Sequence, residues 1–281
     1  MRKILATLAV SGLFLAACAD DQPSVTPPTA TGSEACAKEN LPLLTRGQLT
    51  IATDDPSFPP WIIKNDPTNG KGFEGALAYE VAERLGFSAS EVEWVIEPFN
   101  KSYAPGPKDF DFDINNISVT EEREQAVDFS DGYYDLTQAL LVLEGSPLEG
   151  ATTLTEVKDY VYGAQVGTTS LTFINTVIQP SQQAKVFDTT SDAKSALKNG
   201  SVDGLILDLP TAYYEATIGT KGSALVGQFP STGEHLGLLF EEGNPLRDCV
   251  NEVLADMKGD GTLSTLQDEW LADYLAVLVI Q

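Results

Sequence analysis

Leu49-Thr50-Ile51-Ala52-Thr53-Asp54-Asp55-Pro56-Ser57-Phe58-Pro59-Pro60-Trp61 is the stretch that decides the fold. Its first five residues alternate as a strand does, and the acidic, proline-rich remainder breaks into a loop at the strand's carboxyl end. A helix follows: residues 73–85 set Phe73, Leu77, Val81 and Leu85 on one face, and Gly86 supplies a stop. Residues 92–96 read as a second strand. Residues 99–112, with two prolines and a glycine, read as a loop leading into a short strand near 113–117. Thr120 reads as an N-cap, with Glu121 and Glu122 in a first helical turn where carboxylates suit the dipole.

The pattern then repeats. Residues 127–130 and 139–143 read as extended. Residues 160–166 form a strand, Gly167-Thr168-Thr169-Ser170 a turn, and a helix starts near Leu171. A helix over 191–198 stops at Asn199-Gly200, and a buried strand over 203–207 ends in Asp208, with Pro210 in the first turn of the next helix. Past Gly237 come one more strand and helices over 245–257 and 263–274. Strands alternating with helices predict an α/β protein with parallel sheets covered by helices. Ligands of such folds sit beyond the strands' carboxyl ends. The polar clusters at 54–58, 115–123, 167–170 and 208 all fall at such ends.

The chain has 281 residues, enough for one large domain or two modest ones. Lys and Arg total 17 against 41 Asp and Glu, a formal net charge of −24, so nucleic acid is not an expected partner. The single histidine, His235, excludes multi-His metal sites and leaves one candidate at most for any His base. No metal or other cofactor is expected. Apolar residues make up 42% of the chain and aromatics 9%, so the acidity belongs to a folded globule rather than a disordered chain.

Residues 1–17 read as a signal peptide: a basic start, Arg2-Lys3, then a predominantly apolar stretch of twelve residues over 4–15, too short to span a bilayer. Leu15-Ala16-Ala17-Cys18 resembles the lipobox of bacterial lipoproteins, which implies that Cys18 becomes the lipidated first residue of an exported, membrane-tethered protein. An ordinary signal peptide with an incidental cysteine is the alternative. Residues 18–40 then hold the lipidated Cys and a flexible tether rich in Pro, Thr, Ser and Asp. No later run approaches 18 apolar residues, so the mature chain is tethered rather than embedded. Export permits disulfides, and with Cys18 consumed Cys36 and Cys249 are expected to pair; two buried thiols are the alternative. Closing so long a loop contributes up to roughly 5 kcal/mol in the chain-entropy picture.

A zwitterionic small molecule needs an arginine fork and backbone N–H groups for its carboxylate, and a carboxylate for its ammonium. Beyond the signal peptide the arginines are Arg46, Arg84, Arg123 and Arg247. Arg84 reads as a solvated cation late on its helix, and Arg46 and Arg247 lie outside the polar clusters. Arg123 reads either as that fork or as a surface residue offsetting Glu121, Glu122 and Glu124.

An ordered set of motifs adds a resemblance. Gly47-x-Leu49-x-Ile51-Ala52-Thr53-Asp54, the Phe-Pro-Pro-Trp loop and Gly72-Phe73-Glu74 resemble the opening of the polar amino-acid-binding proteins of bacterial ABC importers, solute-binding protein family 3. Ile117-Ser118-Val119-Thr120-x-x-Arg123 with Val127-Asp128-Phe129-Ser130-Asp131-Gly132-Tyr133-Tyr134 is similar to that family's central signature. Val166-Gly167-Thr168-Thr169-Ser170, Val202-Asp203-Gly204 with Asp208, and Asp260-Gly261-Thr262-Leu263 continue it in order, from about Gly47 to Tyr274. The resemblance implies a type II periplasmic-binding-protein fold, two α/β lobes joined by two hinge strands. Lobe 1 would comprise 41–138 plus 238–281 and lobe 2 would comprise 139–237, with crossings near 137–140 and 235–238. It implies an L-amino-acid cargo handed to an ABC permease with its ATPase, by a monomer that catalyses nothing. Arg123 would grip the ligand carboxylate, with Ser118 and the N–H groups at Thr168 and Thr169. Asp208 and Asn116 would hold the ammonium, Phe58 would line the side-chain pocket, and Asp54 would reach the side-chain end.

The chain departs from the pattern in places. Glu74-Gly75-Ala76 replaces the usual Asp-x-Asp, for which a structural consequence is expected. Asn115 and Asn116 stand where small residues or serines are usual, narrowing the pocket and adding amides. The segment 99–107 is unlike the usual one, with Phe99 or Tyr103 a candidate second wall. Asp54 and Asp55 lean the cargo toward arginine, lysine, histidine or glutamine; Asp55 reads equally as a turn former, and Lys64 and Lys101 are the candidate cations for an acidic side chain instead. Two rival readings remain open. One is an enzyme like the cyclohexadienyl dehydratases of the same fold, with Glu97, Asp111 or Asp113 as its acid. The other is a sensory ligand-binding lipoprotein.

Overall fold

In the structure, a computed structural model that describes residues 34–272 and 277–281, β1 (Leu49–Thr53) leads through the proline-rich loop into α1 (Phe73–Arg84). Then come β2 (Val92–Ile96), a single turn α2 (Phe99–Ser102), β3 (Phe112–Asp113) and β4 (Val127–Phe129). The signal peptide, Cys18, most of the tether and Tyr274 lie outside the described residues. β1 pairs in parallel with β2 and β3, and all five of its residues are buried, as a strand covered on both faces must be.

Two residues of β5 (Tyr134–Asp135) carry the chain out of this unit and into β6 (Gln138–Leu143). β7 (Tyr162–Gln165), α3 (Thr169–Phe173), β8 (Lys185–Phe187), α4 (Thr190–Lys198), β9 (Gly204–Asp208), α5 (Leu209–Tyr214) and β10 (Ser223–Gln228) build the second unit. α3 and α5 each run on into a π-helical turn, Ile174–Ile178 and Glu215–Gly219. β11 (His235–Leu236) returns the chain, and β12 (Leu239–Glu241), α6 (Leu246–Gly259) and α7 (Thr262–Leu271) complete the first unit. One sheet has the order β2-β1-β3-β12-β4 and the other β10-β6-β9-β7-β8. β5 and β11 pair with each other as an antiparallel ribbon between the two lobes. Among the described residues no helix is long and apolar enough to cross a membrane.

Five expectations need correction. The sheets are mixed, not parallel: β12 is antiparallel to β3 and β4, and β6 to β9 and β10. β6 and β12 each enter their sheet from the other lobe, and each runs against its neighbours there. Thr120 does cap, accepting from Arg123 N at 3.2 Å, but it caps one 3-10 turn, Arg123–Gln125, not an α-helix. The turn ends because Val127 and Phe129 are drawn into the sheet as buried β4 residues. The first crossing lies at 134–135, upstream of 137–140, since Gln138 already pairs with Asp208.

The last residues do not belong with lobe 1. Ile280 is fully buried in the core of the second lobe, with Leu140, Val142, Tyr162 and Ile206. Its N–H donates to Gln228 O, Gln228 N donates to Leu278 O, and Gln281 N donates to Thr152 O, each at 2.8 Å. Glycine at 227 permits this, because a Cβ there would lie 2.7 Å from Leu278 O. Arg84 is likewise no solvated cation. Its guanidinium pairs with Glu80 at 2.7 Å and Asp260 at 2.8 Å and donates to Thr262 Oγ1, tying α1 to the α6–α7 turn.

Cys36 and Cys249 are disulfide-bonded with Cα atoms 5.4 Å apart, fastening the segment before β1 to α6. The largest apolar cluster runs from Leu49, Leu77 and Val250 through Tyr133, Leu136 and Leu236 near the ribbon to Leu205 and Ala193. It therefore ties the two sheets together through the hinge.

Candidate functional site

The carboxyl ends of the central strands face each other across the cleft. β1 delivers Asp54, β3 leads into Asn115 and Asn116, β7 leads into Gly167-Thr168-Thr169, and β9 ends in Asp208. A cavity of about 100 Å³ lies between them, lined by all nine residues singled out above: Asp54, Phe58, Asn115, Asn116, Ser118, Arg123, Thr168, Thr169 and Asp208. Arg123 is its one lysine or arginine, and Asp54 and Asp208 are its two carboxylates.

The Arg123 side chain is buried, and burial lowers its pKa. Nη1 donates to Ser118 O at 2.6 Å and Nη2 to Gly167 O at 2.9 Å, so the guanidinium touches both lobes. Tyr103 and Phe99 stack on it, their ring centroids 4.7 Å and 5.4 Å from its central carbon. The two rings meet edge to face, which locks the fork from behind. Position 167 requires glycine: φ is +75°, and a Cβ would lie 2.3 Å from Tyr103 Oη. Of the candidate second walls, Phe99 lines the cavity, while Tyr103 lines the groove outside Arg123.

Glu74 explains the departure at 74–76. It is buried at the start of α1 and accepts from Asn116 N at 2.8 Å and from the Tyr133 hydroxyl. Asn116 has φ of 51°, a left-handed conformation that asparagine tolerates. Burial pushes Glu74 up to about 7. The consequence is structural: the carboxyl shapes the loop that presents Asn115, Asn116 and Ser118.

Asp208 ends β9 ahead of Pro210, and its Oδ1 accepts from Gln138 Nε2 at 3.0 Å. Burial first, and the nearby Glu234 second, push it up to about 8. Burial also raises Asp54. Asp55 is exposed and accepts from Asn65 Nδ2 at 2.7 Å, and Asn65 Oδ1 in turn accepts from Ser57 N. It therefore shapes the turn. Thr168 caps α3, accepting from Leu171 N at 3.2 Å, and Thr169 Oγ1 lies 3.5 Å from Ser118 Oγ across the cleft. Phe58 carries Lys194 Nζ 4.3 Å from its ring centroid, and Lys194 is paired with Glu215 at 2.9 Å. Trp61 Nε1 donates to Thr211 Oγ1 at 2.8 Å. These contacts from lobe to lobe describe a closed cleft.

Glu97, Asp111 and Asp113, the acids of the enzyme reading, do not line the cavity. Asp111 is a structural staple accepting from Leu44 N and Thr50 N, Asp113 accepts from the Ser102 hydroxyl, and Glu97 pairs with Lys101. Lys64 and Lys101 are also absent from the lining. Among the described residues no group of three or more His, Cys, Asp or Glu is placed to hold a metal ion.

Sequence reasoning missed Gln138, Gln165, Ser170, Thr190 and Thr211 near the cavity, and Glu234 behind it. Gln138 carried a signal, a lone polar residue opening the apolar run Ala139-Leu140-Leu141-Val142, and it is 2% exposed. Glu234 carried none, because its place depends on how β5 and β11 pair.

Two α/β lobes, a paired hinge and a polar cavity at the strands' carboxyl ends define a two-lobed binding protein of the type II periplasmic kind. The chain belongs to the bacterial extracellular solute-binding proteins, family 3, matched over residues 49–273. It is 29% identical over 216 residues to the ABC transporter glutamine-binding protein GlnH of Bacillus subtilis, covering 75% of this chain and 77% of that protein. It is 27% identical over 227 residues to the L-cystine-binding protein TcyJ of Escherichia coli K12, covering 80% and 83%. Among solved structures, an ancestral arginine-binding protein bound to arginine superposes with a TM-score of 0.66 at 32% identity, covering 80% of this chain and 99% of the other.

Proposed function

We propose that this protein captures an L-amino acid between its lobes and delivers it, in the closed form, to an ABC permease driven by its ATPase. The observation that carries this reading is the cavity's charge set: one guanidinium backed by two aromatic rings, and carboxylates contributed by both lobes. Arg123 takes the α-carboxylate with the N–H groups at Thr168 and Thr169 and with Ser118, whose hydroxyl turns to the ligand from Glu234 Oε1. Asp208 takes the ammonium with Asn116. Phe58 lines the side-chain pocket, and Asp54 meets the side-chain end. With no second cation in the lining, an acidic side chain is disfavoured; arginine, lysine, histidine and glutamine fit the spare carboxylate. Relatives named for glutamine and arginine binding support that choice.

Because the ligand bridges both lobes, its affinity for the closed form exceeds that for the open one, and this difference drives closure. No bond chemistry is involved, and the acids of the enzyme reading lie away from the cavity. The protein acts as a monomer, exported and tethered outside the cell membrane through lipid at Cys18. A thermal-shift panel of the twenty amino acids at about 1 mM each tests the reading. A ligand with Kd near 1 μM adds about 4 kcal/mol by mass action, on the order of 8–16 °C for a chain of this size. A shift confined to one or a few related amino acids supports the reading, and a flat panel on folded protein rejects it.

A further inference from the structure

Glu234 stands one residue before β11, where both lobes meet the hinge. Its Oε1 accepts from Ser118 Oγ of the first lobe at 2.6 Å, and its Oε2 accepts from Gln138 Nε2 of the second at 3.1 Å. The same Nε2 donates to Asp208 Oδ1 at 3.0 Å, and Gln138 Oε1 accepts from Ser170 Oγ at 2.7 Å. Ser118, Ser170 and Asp208 line the cavity. One amide thus holds two carboxyl groups in the wall assigned above to the ligand's ammonium.

The charges around the pair do not balance it. Arg123, from the signature loop, is the cation acting on Asp208, and it is already bonded to two carbonyls. Glu74 from α1 adds a further acid, and Tyr133 and Tyr134 of the hinge segment bring no positive charge. Asp135 pairs in register with His235 on the ribbon, and the His235 ring packs on Gly132 with Nδ1 3.3 Å from Gly233 O. Two anions beside a single guanidinium, both half-buried at the hinge end of the cleft, are costly to keep charged together.

We propose that Asp208 and Glu234 act as a pair that keeps one proton while the cavity is empty and releases it to solvent when a ligand ammonium enters. Glu234 is then the positioning residue that sets the charge state of the ammonium subsite. The proposal rests on the amino-acid reading for its ligand. In the step, the carboxylic O–H of Asp208 breaks, its proton passes to water, and an ammonium–carboxylate pair forms; no bond of the ligand changes. The position of Asp208 at about 8 agrees with this. Affinity then falls as pH drops through the range in which the pair holds its proton, approaching about tenfold per pH unit, the slope expected for one released proton.

The test has two arms, both on the folded protein. In the first, the protonated-carboxyl infrared band of ligand-free wild type is titrated beside Asp208→Asn and Glu234→Gln. Glu74 and Asp113 contribute to the same band, so the expected result is a band near neutral pH that loses about one carboxyl's share in Asp208→Asn, with that share shifted to a lower midpoint by about one pH unit or more in Glu234→Gln. Identical bands in wild type and Asp208→Asn overturn the proposal. In the second, an equimolar mixture of the twenty L-amino acids is added at matched pH near neutrality in weak buffer, with the melting temperature followed in parallel. Wild type is expected to release about one proton per chain and Glu234→Gln clearly less. A melting shift without proton release overturns the proposal. The absence of any melting shift rejects the amino-acid reading instead, and the infrared arm then decides the proposal alone.

Discussion

Asp113 and Asp208 end corresponding strands of the two lobes, β3 and β9, and burial pushes both up to about 8. Asp113 is fully sealed, accepts from the Ser102 hydroxyl and sits near Glu74, Glu97 and Asp54. Asp208 opens onto the cavity opposite residues of the other lobe. The two carboxyl groups are perturbed alike, and only one has access to a ligand. A raised pKa therefore reports burial, and the cavity decides which buried group can act. Groups facing the cavity should govern affinity, and sealed ones stability.

Removing the Cys36–Cys249 bond with a paired Cys→Ser change is expected to have the largest effect, about 2–5 kcal/mol of stability in denaturant melts. Ligand affinity should stay within about twofold, since the bond lies behind α6, away from the cavity. A large loss of affinity would break the division. On the cavity side, Arg123→Ala should weaken binding about 100-fold or more by calorimetry, near 3 kcal/mol, with the fold retained by circular dichroism. Unchanged binding would remove Arg123 from the site.

The paired carboxyls give the sharpest contrast. Asp208→Asn should cost on the order of tenfold to 100-fold in affinity, and Asp113→Asn less than about threefold. Their stability effects have a definite sign. Burial pushes Asp113 up to about 8 in the native state, whereas an unfolded aspartate releases its proton near the ordinary value of 3.8. More protons are bound in the native state across that window, so stability falls as pH rises through it and levels off above. The slope reaches about 1.4 kcal/mol per pH unit for one such group. Asp113→Asn should make that decline shallower in urea melts between about pH 5 and 8, and an unchanged slope would show the carboxyl already ionised. Among the changes at the cleft, the smallest effect is expected from Trp61→Phe, which removes the bond to Thr211. About 1 kcal/mol of closed-state stability would be lost, read as roughly fivefold weaker binding.

Much of this was legible in the chain. Strand and helix periods placed β1, α1, β2, α4 and β9 within a residue or two, and polar clusters at strand ends pointed to the cavity before any geometry was known. The unread parts depend on contacts between distant segments. The reversal of β6 and β12 follows from where the chain crosses between lobes, which local period does not encode. The helix expected after Thr120 shrank to one turn because Val127 and Phe129 gain more as buried strand residues than as a helical face. Ile280 lies nine residues past the end of α7, and chain position groups it with lobe 1, whereas the second lobe's core encloses it. Glu234 sits in a polar loop like several others, and only the β5–β11 ribbon brings it to Gln138.

The most direct test of zwitterion capture is calorimetric titration of the amino acid found in the thermal panel, beside its methyl ester and its deaminated analogue. The ester lacks the carboxylate charge that Arg123 is assigned to hold, and the deaminated acid lacks the ammonium assigned to Asp208. Loss of about 100-fold or more in affinity for each analogue is the predicted result. Either analogue binding as tightly as the parent amino acid would contradict the account.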